Sequence, residues 1–308
     1  MTDPLKRGFL FLIDKPPGVT SHDVVERVRK ATSFARIGHS GTLDPMATGL
    51  LLLCAGGAAR LQSFFTRMDK SYEGVIRLGR STTTYDREGE TVGPERDASR
   101  VSPEEIENAA ADFRGEFLQS PPAFSAKKVK GRKFYEMARR GETVPILPKK
   151  VRVSQLTFGP LDEAGRLPVS ISCSSGTYVR AIASDLGGRL GCGAHLETLR
   201  RTRIGDFDVA DALPLETFEQ MPPEERLRPP HSIPLSQIAF PFERLRLASL
   251  EAWKIRKGQP IPFRGLSAKD GDWVTLLGPA EEVIALGQVT PMGTGKVSLI
   301  RPKIVLAD

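Results

Sequence analysis

The chain has 308 residues, enough to bury a substantial core in one large domain with a smaller one beside it. Hydrophobic residues make up 40% and charged residues 26%, as is typical of soluble globular proteins, and the longest apolar run, Leu50–Ala55, is too short to span a membrane. The net charge of +7, with a pI of about 9.4, favours a polyanionic partner.

The first part of the chain alternates strand patterns with short helices. GFLFLID (8–14) predicts a buried strand, and Thr20 and Asp23 have the spacing of a capping box that begins a helix at SHDVVERVRKAT. GLLLLCAG (49–56) predicts a second buried strand, followed by a helix in GAARLQSFF. KSYEGVIRLG (70–79) predicts a half-exposed strand, and Ser102 caps a helix in SPEEIENAAADF.

The second part has fewer helices. VRVSQLTF and LPVSISCS alternate as strands, and GTYVRAIASDLGGRLG carries a helical apolar stripe. Seven prolines between Asp211 and Phe242 predict an extended connection, and short alternating runs beyond it predict a small β-rich module. Strands mostly neighbour strands, so we expect an α+β fold with a mixed or antiparallel sheet in residues 1–240 and a β-rich domain in residues 241–308.

The positive charge is concentrated in one segment. Ser120–Val153 holds ten Lys or Arg and two Glu, a net charge of +8, and three aromatic residues lie between the charges. Cations neutralise phosphates and aromatic rings stack on bases, so this composition suits a folded RNA better than an acidic protein. A solvated basic face is the alternative that this segment leaves open.

The sequence offers little support for a metal or a cofactor. Three widely spaced cysteines without a CxxC fit a reducing cytoplasm, and four histidines show no HxH or HExxH spacing. The first residues lack a small-residue cleavage site, so we expect no signal peptide. GTGKVS lacks the first glycine and the final Ser or Thr of a phosphate-binding loop. We therefore expect a cytoplasmic protein whose chemistry comes from side chains alone.

One acidic residue stands out in GHSGTLDPMATGLLLLCAG (38–56). Asp44 lies between Leu43 and Pro45, directly before the most apolar run of the chain. A turn needs glycine and proline, but it needs no carboxylate leading into a core. Spacing alone is compatible with an Asx-type turn residue before Pro45 and with a carboxylate that the turn projects into a pocket.

This stretch resembles the active-site motif of the bacterial tRNA pseudouridine-55 synthases, the TruB family. Other stretches resemble further motifs of that family in the same order, over nearly the whole chain: DKPPGVTS, KSYEGVIRLG, GTYVRAIASDLG and CGAHLETLRRTRIGDF. The basic segment resembles the insertion that grips the tRNA T-arm, and the final module resembles a PUA-type RNA-binding domain. The departures are small, with Met46 where Leu is usual and Arg60 where Lys is frequent.

The resemblance implies a cofactor-free isomerisation of the T-loop uridine at position 55 to pseudouridine after base flipping. It implies that Asp44 is the nucleophile, that Arg180 is its cationic partner, and that Tyr72 stacks on the base. It also implies a set of substrate or RNA contacts: His39, Arg60, Asp86, Leu199, Lys127, Lys128, Lys130 and Arg132. The expected partner is the tRNA T-arm, with no membrane, no metal, no protein partner and a monomeric enzyme.

Two other classes of protein remain open at this point. A guide-RNA-dependent synthase like dyskerin shares the motifs but works with partner proteins. A tRNA-binding or tRNA-folding factor would keep the fold without the reaction. The long basic insertion and the absence of charged tails favour a stand-alone enzyme over the first. Intact Asp44, Tyr72 and Arg180 favour an active enzyme over the second.

Overall fold

The structure is a computed structural model that describes residues 8–122, 128–129, 132–133, 147–238, 240–292 and 297–306. The strands of the first part are β1 (Gly8–Lys15), β2 (Ile37–His39), β3 (Thr48–Gly56), β4 (Lys70–Leu78), β5 (Ser81–Thr82), β6 (Thr91–Val92), β7 (Gly115–Gln119), β8 (Lys128–Val129), β9 (Arg132–Lys133), β10 (Lys149–Phe158), β11 (Arg166–Cys173), β12 (Ala194–Ile204), β13 (Phe207–Asp208), β14 (Leu213–Pro214) and β15 (Ile233–Pro234). The helices are α1 (Ser21–Thr32), α2 (Gln62–Arg67), α3 (Pro103–Ala110), α4 (Val179–Arg189), α5 (Leu215–Gln220), α6 (Pro223–Arg226) and α7 (Ser249–Arg256).

Eleven of these strands form one sheet. Its central order is β14-β1-β3-β12-β4-β11-β10-β7, with β2, β13 and β15 paired at its sides. Most neighbours are antiparallel, but β1 with β14 and β3 with β12 are parallel. The sheet is therefore mixed, as the sequence pattern predicts for an α+β fold. The parallel contact of β3 with β12 matters most for the site, because it sets Arg201 beside Gly49, a few residues after Asp44.

The strand β3 is buried on both faces. Leu50, Leu52 and Cys54 pack into one apolar cluster, whereas Leu51 and Leu53 pack into another on the opposite face. The sequence of a strand that is buried on both faces is a continuous run of apolar residues, without alternating polar positions. This explains the most hydrophobic stretch of the sequence and gives the turn before it a rigid base.

Helix α1 begins where the sequence predicts. The Thr20 side chain accepts a hydrogen bond from the Asp23 backbone N–H, and the Asp23 carboxylate accepts one from the Thr20 backbone N–H at 2.9 Å. Val24, Val25 and Val28 are buried on one face of the helix. The reciprocal cap satisfies two N–H groups that a helix start otherwise leaves open.

A second sheet of five strands begins at Glu243, close to the predicted domain boundary. Its strands are β16 (Glu243–Arg246), β17 (Ile261–Phe263), β18 (Trp273–Leu277), β19 (Val283–Met292) and β20 (Val297–Val305), in the order β16-β18-β19-β20-β17. A row of aromatic rings joins it to the large sheet's domain, with Phe64 5.3 Å from Phe242 and Phe242 6.2 Å from Trp273 between ring centroids. The C-terminal part of the chain is thus β-rich and packed against the rest.

No helix in the described part of the chain combines the length and the apolar character that crossing a membrane requires.

Candidate active site

A cavity of about 340 Å³ opens where four parts of the large domain meet. The turn 41–44, strand β4, strand β12 and the connection from β11 into α4 each contribute to its wall. The lining includes Asp44, Tyr72, Arg180, Leu199 and Arg201. A neighbouring hollow of about 400 Å³ shares Leu199 with it but holds neither Asp44 nor Arg180, so the charged pair marks the smaller cavity as the chemical site.

The turn that carries Asp44 is held by its backbone. The Leu43 N–H donates to Ser21 Oγ at 2.8 Å, and Ser21 Oγ donates to the Leu43 carbonyl at 3.1 Å. The buried Lys15 ammonium donates to the Pro45 carbonyl at 3.1 Å. These contacts fix the peptide on both sides of Asp44 and leave its side chain directed into the cavity.

Arg180 connects Asp44 to a second carboxylate. Its Nε lies 3.2 Å from Asp44 Oδ2, its Nη1 lies 3.7 Å from Asp86 Oδ2, and the same Nη1 donates to the Thr84 carbonyl at 3.1 Å. The side chains of Arg180 and Asp86 are only 7% and 5% exposed, whereas that of Asp44 is 37% exposed. A single guanidinium therefore lies between a buried carboxylate and one that opens into the cavity.

Burial raises the pKa of the Asp44 carboxyl above its ordinary value. The Arg180 guanidinium opposes this rise, the Asp86 carboxylate adds to it, and the more distant Lys15 ammonium opposes it. The side chain is open toward the cavity while protein atoms surround it elsewhere. Arg180 is the main group that favours the ionised form, which is the form able to act as a nucleophile.

Tyr72 has a buried cationic neighbour that the sequence reasoning missed. On the sheet, Tyr72 of β4 pairs with Arg201 of β12, and Arg201 is 1% exposed. Arg201 Nε donates to the Leu50 carbonyl at 2.7 Å, and its Nη2 donates to the Gly41 carbonyl at 3.1 Å. Burial raises the pKa of Tyr72, and Arg201 opposes the rise. Tyr72 is therefore a neutral phenol in the cavity wall.

Two buried lysines support the same region. Lys15 is fully buried and donates to three carbonyls, those of Pro16 at 2.9 Å, Val19 at 2.7 Å and Pro45. Lys70 Nζ donates to two carbonyls in the chain segment that precedes β4. Burial lowers the pKa of each lysine to about 8. Both ammonium groups hold backbone in place, Lys15 from outside the cavity lining and Lys70 from within it.

The other predicted site residues lie in different places. Leu199 lines the cavity, and Asp86 reaches it through Arg180. His39 is partly buried, and its Nδ1 accepts from the Gly41 N–H at 3.4 Å; burial lowers its pKa. Arg60 lies outside the cavity lining and donates to the Val305 carbonyl at 2.6 Å, where the second sheet meets the large domain.

The four basic residues predicted to hold RNA belong to the segment between β7 and β10. Lys127 and Lys130 lie outside the described residues. Lys128 and Arg132 belong to the paired strands β8 and β9. Their role in RNA binding stays a prediction. Among the residues that the structure describes, no group of three or more His, Cys, Asp or Glu side chains is arranged to hold a metal ion.

Comparison with known proteins identifies the family. The model described as "TruB family pseudouridylate synthase (N terminal domain)" matches residues 29–179, and that described as "tRNA pseudouridylate synthase B C-terminal domain" matches residues 180–245. A protein named tRNA pseudouridine synthase B from Solibacter usitatus (strain Ellin6076) is 43% identical over 283 residues, 91% of this chain and 95% of its own length. The chain belongs to the TruB family of pseudouridine synthases.

A second TruB relative agrees with this assignment, and a solved structure shares the fold. The tRNA pseudouridine synthase B of Mycobacterium sp. (strain KMS) is 40% identical over 298 residues, 96% of this chain and 97% of that protein. A chain from the crystal structure of a Cbf5-Nop10-Gar1 complex superimposes with a TM-score of 0.74 at 22% identity, covering 98% of this chain and 85% of that one. The latter likeness supports the fold.

Proposed function

We propose that this TruB-family protein is a stand-alone tRNA pseudouridine synthase that isomerises uridine 55 of the T-loop. The observation that carries the proposal is the ion pair of Asp44 and Arg180 inside a cavity walled by Tyr72 and Leu199. The curated relatives at 40–43% identity over most of the chain, which bear the name tRNA pseudouridine synthase B, support the substrate class.

The reaction requires little besides a carboxylate and a shaped pocket. The bond from ribose C1′ to N1 breaks, the detached uracil turns, and C1′ bonds to C5. The C5 proton is lost and N1 gains a proton, so the product is an isomer of the substrate. No group donor or redox step enters this balance. An anionic oxygen that engages the nucleotide and later leaves is the essential participant, as in many glycosidases.

The described residues divide these tasks. Asp44 supplies the anionic oxygen, and Arg180 favours its ionised state at neutral pH. Tyr72, which lines the cavity, offers an aromatic face on which the flipped base can stack. A uridine stacked in a T-loop cannot reach this cavity, so the nucleotide is flipped out of its stack before the reaction.

Binding of the tRNA outside the cavity falls to two other regions. The basic segment 120–153 supplies charge for the T-arm backbone, and the β-rich C-terminal module, which we consider PUA-like, adds a further contact. Among the described residues of these two regions, Lys149 near the end of the basic segment lines the Asp44 cavity. We propose that the enzyme acts as a monomer in the cytoplasm without a protein partner.

The decisive experiment is Asp44→Asn. An amide keeps the size and the turn geometry of Asp44 but supplies no anionic oxygen, so we expect normal tRNA binding and a loss of pseudouridine formation of at least about 10⁴-fold. Asp162→Asn is the matched control, because Asp162 is a turn carboxylate that accepts from the Arg166 N–H at 2.7 Å, outside the cavity.

The assay is single-turnover conversion of an unmodified tRNA transcript by the purified protein alone, with the modified position mapped. Activity of Asp44→Asn close to that of the wild type would reduce Asp44 to a turn residue. A wild-type protein that needs an added guide RNA and partners would indicate a dyskerin-like enzyme. Binding without conversion by the wild type would indicate a tRNA-folding factor.

A further inference from the structure

The rim of the Asp44 cavity differs in chemistry from its floor. The floor is formed by buried residues, among them Leu43, Arg180 and Leu199. The lining residues exposed to solvent include Lys149 and Gly176, and the adjacent Ser175 is partly buried. The rim thus carries an ammonium group and a hydroxyl group above a floor that holds the reactive carboxylate.

Lys149 is placed at this rim by two features of the fold. It begins β10, where it pairs with Gln119 at the end of β7, and its ammonium lies over the turn that leads from β11 into α4. Gly176 in that turn has φ +85°, and a Cβ there would come within 2.6 Å of Lys149 Nζ. The glycine therefore lets the turn adopt a left-handed conformation and leaves room for the ammonium directly above it.

The charge of Lys149 has no internal counterion in the described part of the chain. The next residue, Lys150, pairs with Glu116 at 2.6 Å, and Arg152 on the same strand pairs with Asp69 at 2.9 Å. No described carboxylate forms such a pair with Lys149. Lys149 thus lies beside the cavity without a described carboxylate partner, whereas the other cations of its strand have one, and this fits an anion that comes with the ligand.

The substrate of the proposed function supplies such an anion. A flipped uridine brings its phosphodiester with it, and the phosphate must stay at the rim because the RNA chain continues into solvent. With the ribose beside Asp44, a phosphate on the floor would meet the two carboxylates of Asp44 and Asp86. Lysine is a common point-charge ligand of phosphate, and a serine hydroxyl donates well to an anionic oxygen.

We propose that Lys149 and Ser175 form a subsite for the phosphodiester of the target uridine. This inference rests on the proposed function, because it requires the nucleotide to enter the Asp44 cavity. It separates Lys149 from the rest of the basic segment: the segment binds the T-arm at a distance, whereas Lys149 holds the one nucleotide that reacts.

The test combines Lys149→Gln with a chemical change in the RNA. The substrate is a T-arm hairpin in which one phosphodiester beside the target uridine, 5′ or 3′, is replaced by an uncharged methylphosphonate. We expect Lys149→Gln to raise KM about five- to twentyfold on the natural hairpin, with kcat at saturation changed less than about threefold. The slope of log K against log salt should fall by about 0.7. Lys30→Gln, an exposed lysine of α1 outside the cavity lining, is the matched control.

The methylphosphonate decides between the outcomes. If Lys149 holds one of the two phosphates, the wild type loses about the same factor on one of the neutral hairpins, and Lys149→Gln loses nothing more on it. Three results would each overturn the subsite. The losses from Lys149→Gln and from the methylphosphonate could be additive on both hairpins, Lys149→Gln could leave KM unchanged, or Lys30→Gln could have an equal effect. A wild type that leaves the hairpin unmodified would instead refute the proposed function and the subsite with it.

Discussion

Removing Arg180 tests the electrostatics of the cavity directly. Arg180→Ala leaves Asp44 and Asp86 without the guanidinium that lies between them, 3.2 Å from Asp44 and 3.7 Å from Asp86. Burial already raises the pKa of Asp44, and losing its principal cation raises that pKa further. Since the ionised carboxylate is the reactive form in the proposed mechanism, we expect activity at neutral pH to fall while the turn around Asp44 keeps its backbone contacts.

The size of the loss follows from the distance and the exposure. Opposite unit charges 3.2 Å apart attract by about 5 kcal/mol at an effective dielectric constant of about 20, and by about 1 kcal/mol in bulk water. The Asp44 side chain is 37% exposed, so solvent screening places the interaction between these limits. Because each 1.4 kcal/mol corresponds to a factor of ten, the ionised form of Asp44 loses between about tenfold and several thousandfold relative to its protonated form, and this ratio is the upper bound on the loss of activity.

The pH profile separates this mechanism from simple damage. An acid with a raised pKa is ionised only above that pKa, so the residual activity of Arg180→Ala should climb as the pH rises, over a higher range than in the wild type. The measurement is the single-turnover release of tritium from C5-labelled uridine in tRNA, with tRNA binding determined separately. Arg189→Ala, which removes another paired arginine from the same helix, is the control. A loss that does not change with pH, or no loss at all, would refute the reasoning.

Two further predictions concern the regions that we propose to bind the tRNA. Replacing Lys127, Lys128 and Lys130 with Ala should flatten the slope of log K against log salt by about two to three units, and an unchanged slope would remove these lysines from the interface. Truncation after Phe242 should weaken tRNA binding, because it removes the C-terminal module. It should also lower the melting temperature, because it uncovers the apolar surface against which Trp273 packs. Turnover at saturating tRNA should remain measurable in the folded truncated protein, and its complete absence would place the C-terminal module in catalysis.

Local sequence patterns predicted most of the regular structure. The Thr20–Asp23 capping box and the Ser102 cap both appear at the starts of their helices. The predicted helix in GAARLQSFF is divided, since residues Gly57–Leu61 form a 3₁₀ turn before α2. The start of this segment has no side-chain cap, and Gly56 has φ +58°, so the chain turns tightly out of β3 before a full helix begins.

The site was harder to predict because it depends on contacts between distant parts of the chain. The roles proposed for Asp44, Tyr72 and Arg180 came from the family resemblance. Spacing alone also allowed Asp44 to be a turn residue, Tyr72 a packed strand residue and Arg180 a surface arginine. The sequence gives only a weak indication of Arg201. It lies two residues after Leu199 on a strand, a spacing that places both side chains on the same face. Its burial depends on the parallel pairing of β12 with β3, which no local pattern encodes.

The two buried lysines beside this site make the stability of the fold depend on pH. The pKa of Lys15 and that of Lys70 fall from 10.5 to about 8 in the folded protein, so the unfolded chain binds more protons between these values. The free energy of unfolding therefore rises as the pH increases from about 8 toward 10.5, and charging each lysine in the fold costs on the order of 3 kcal/mol at neutral pH. Burying two ammonium groups therefore lowers the stability of the protein at neutral pH. One of them, that of Lys15, donates to the carbonyl of Pro45, the residue that follows Asp44.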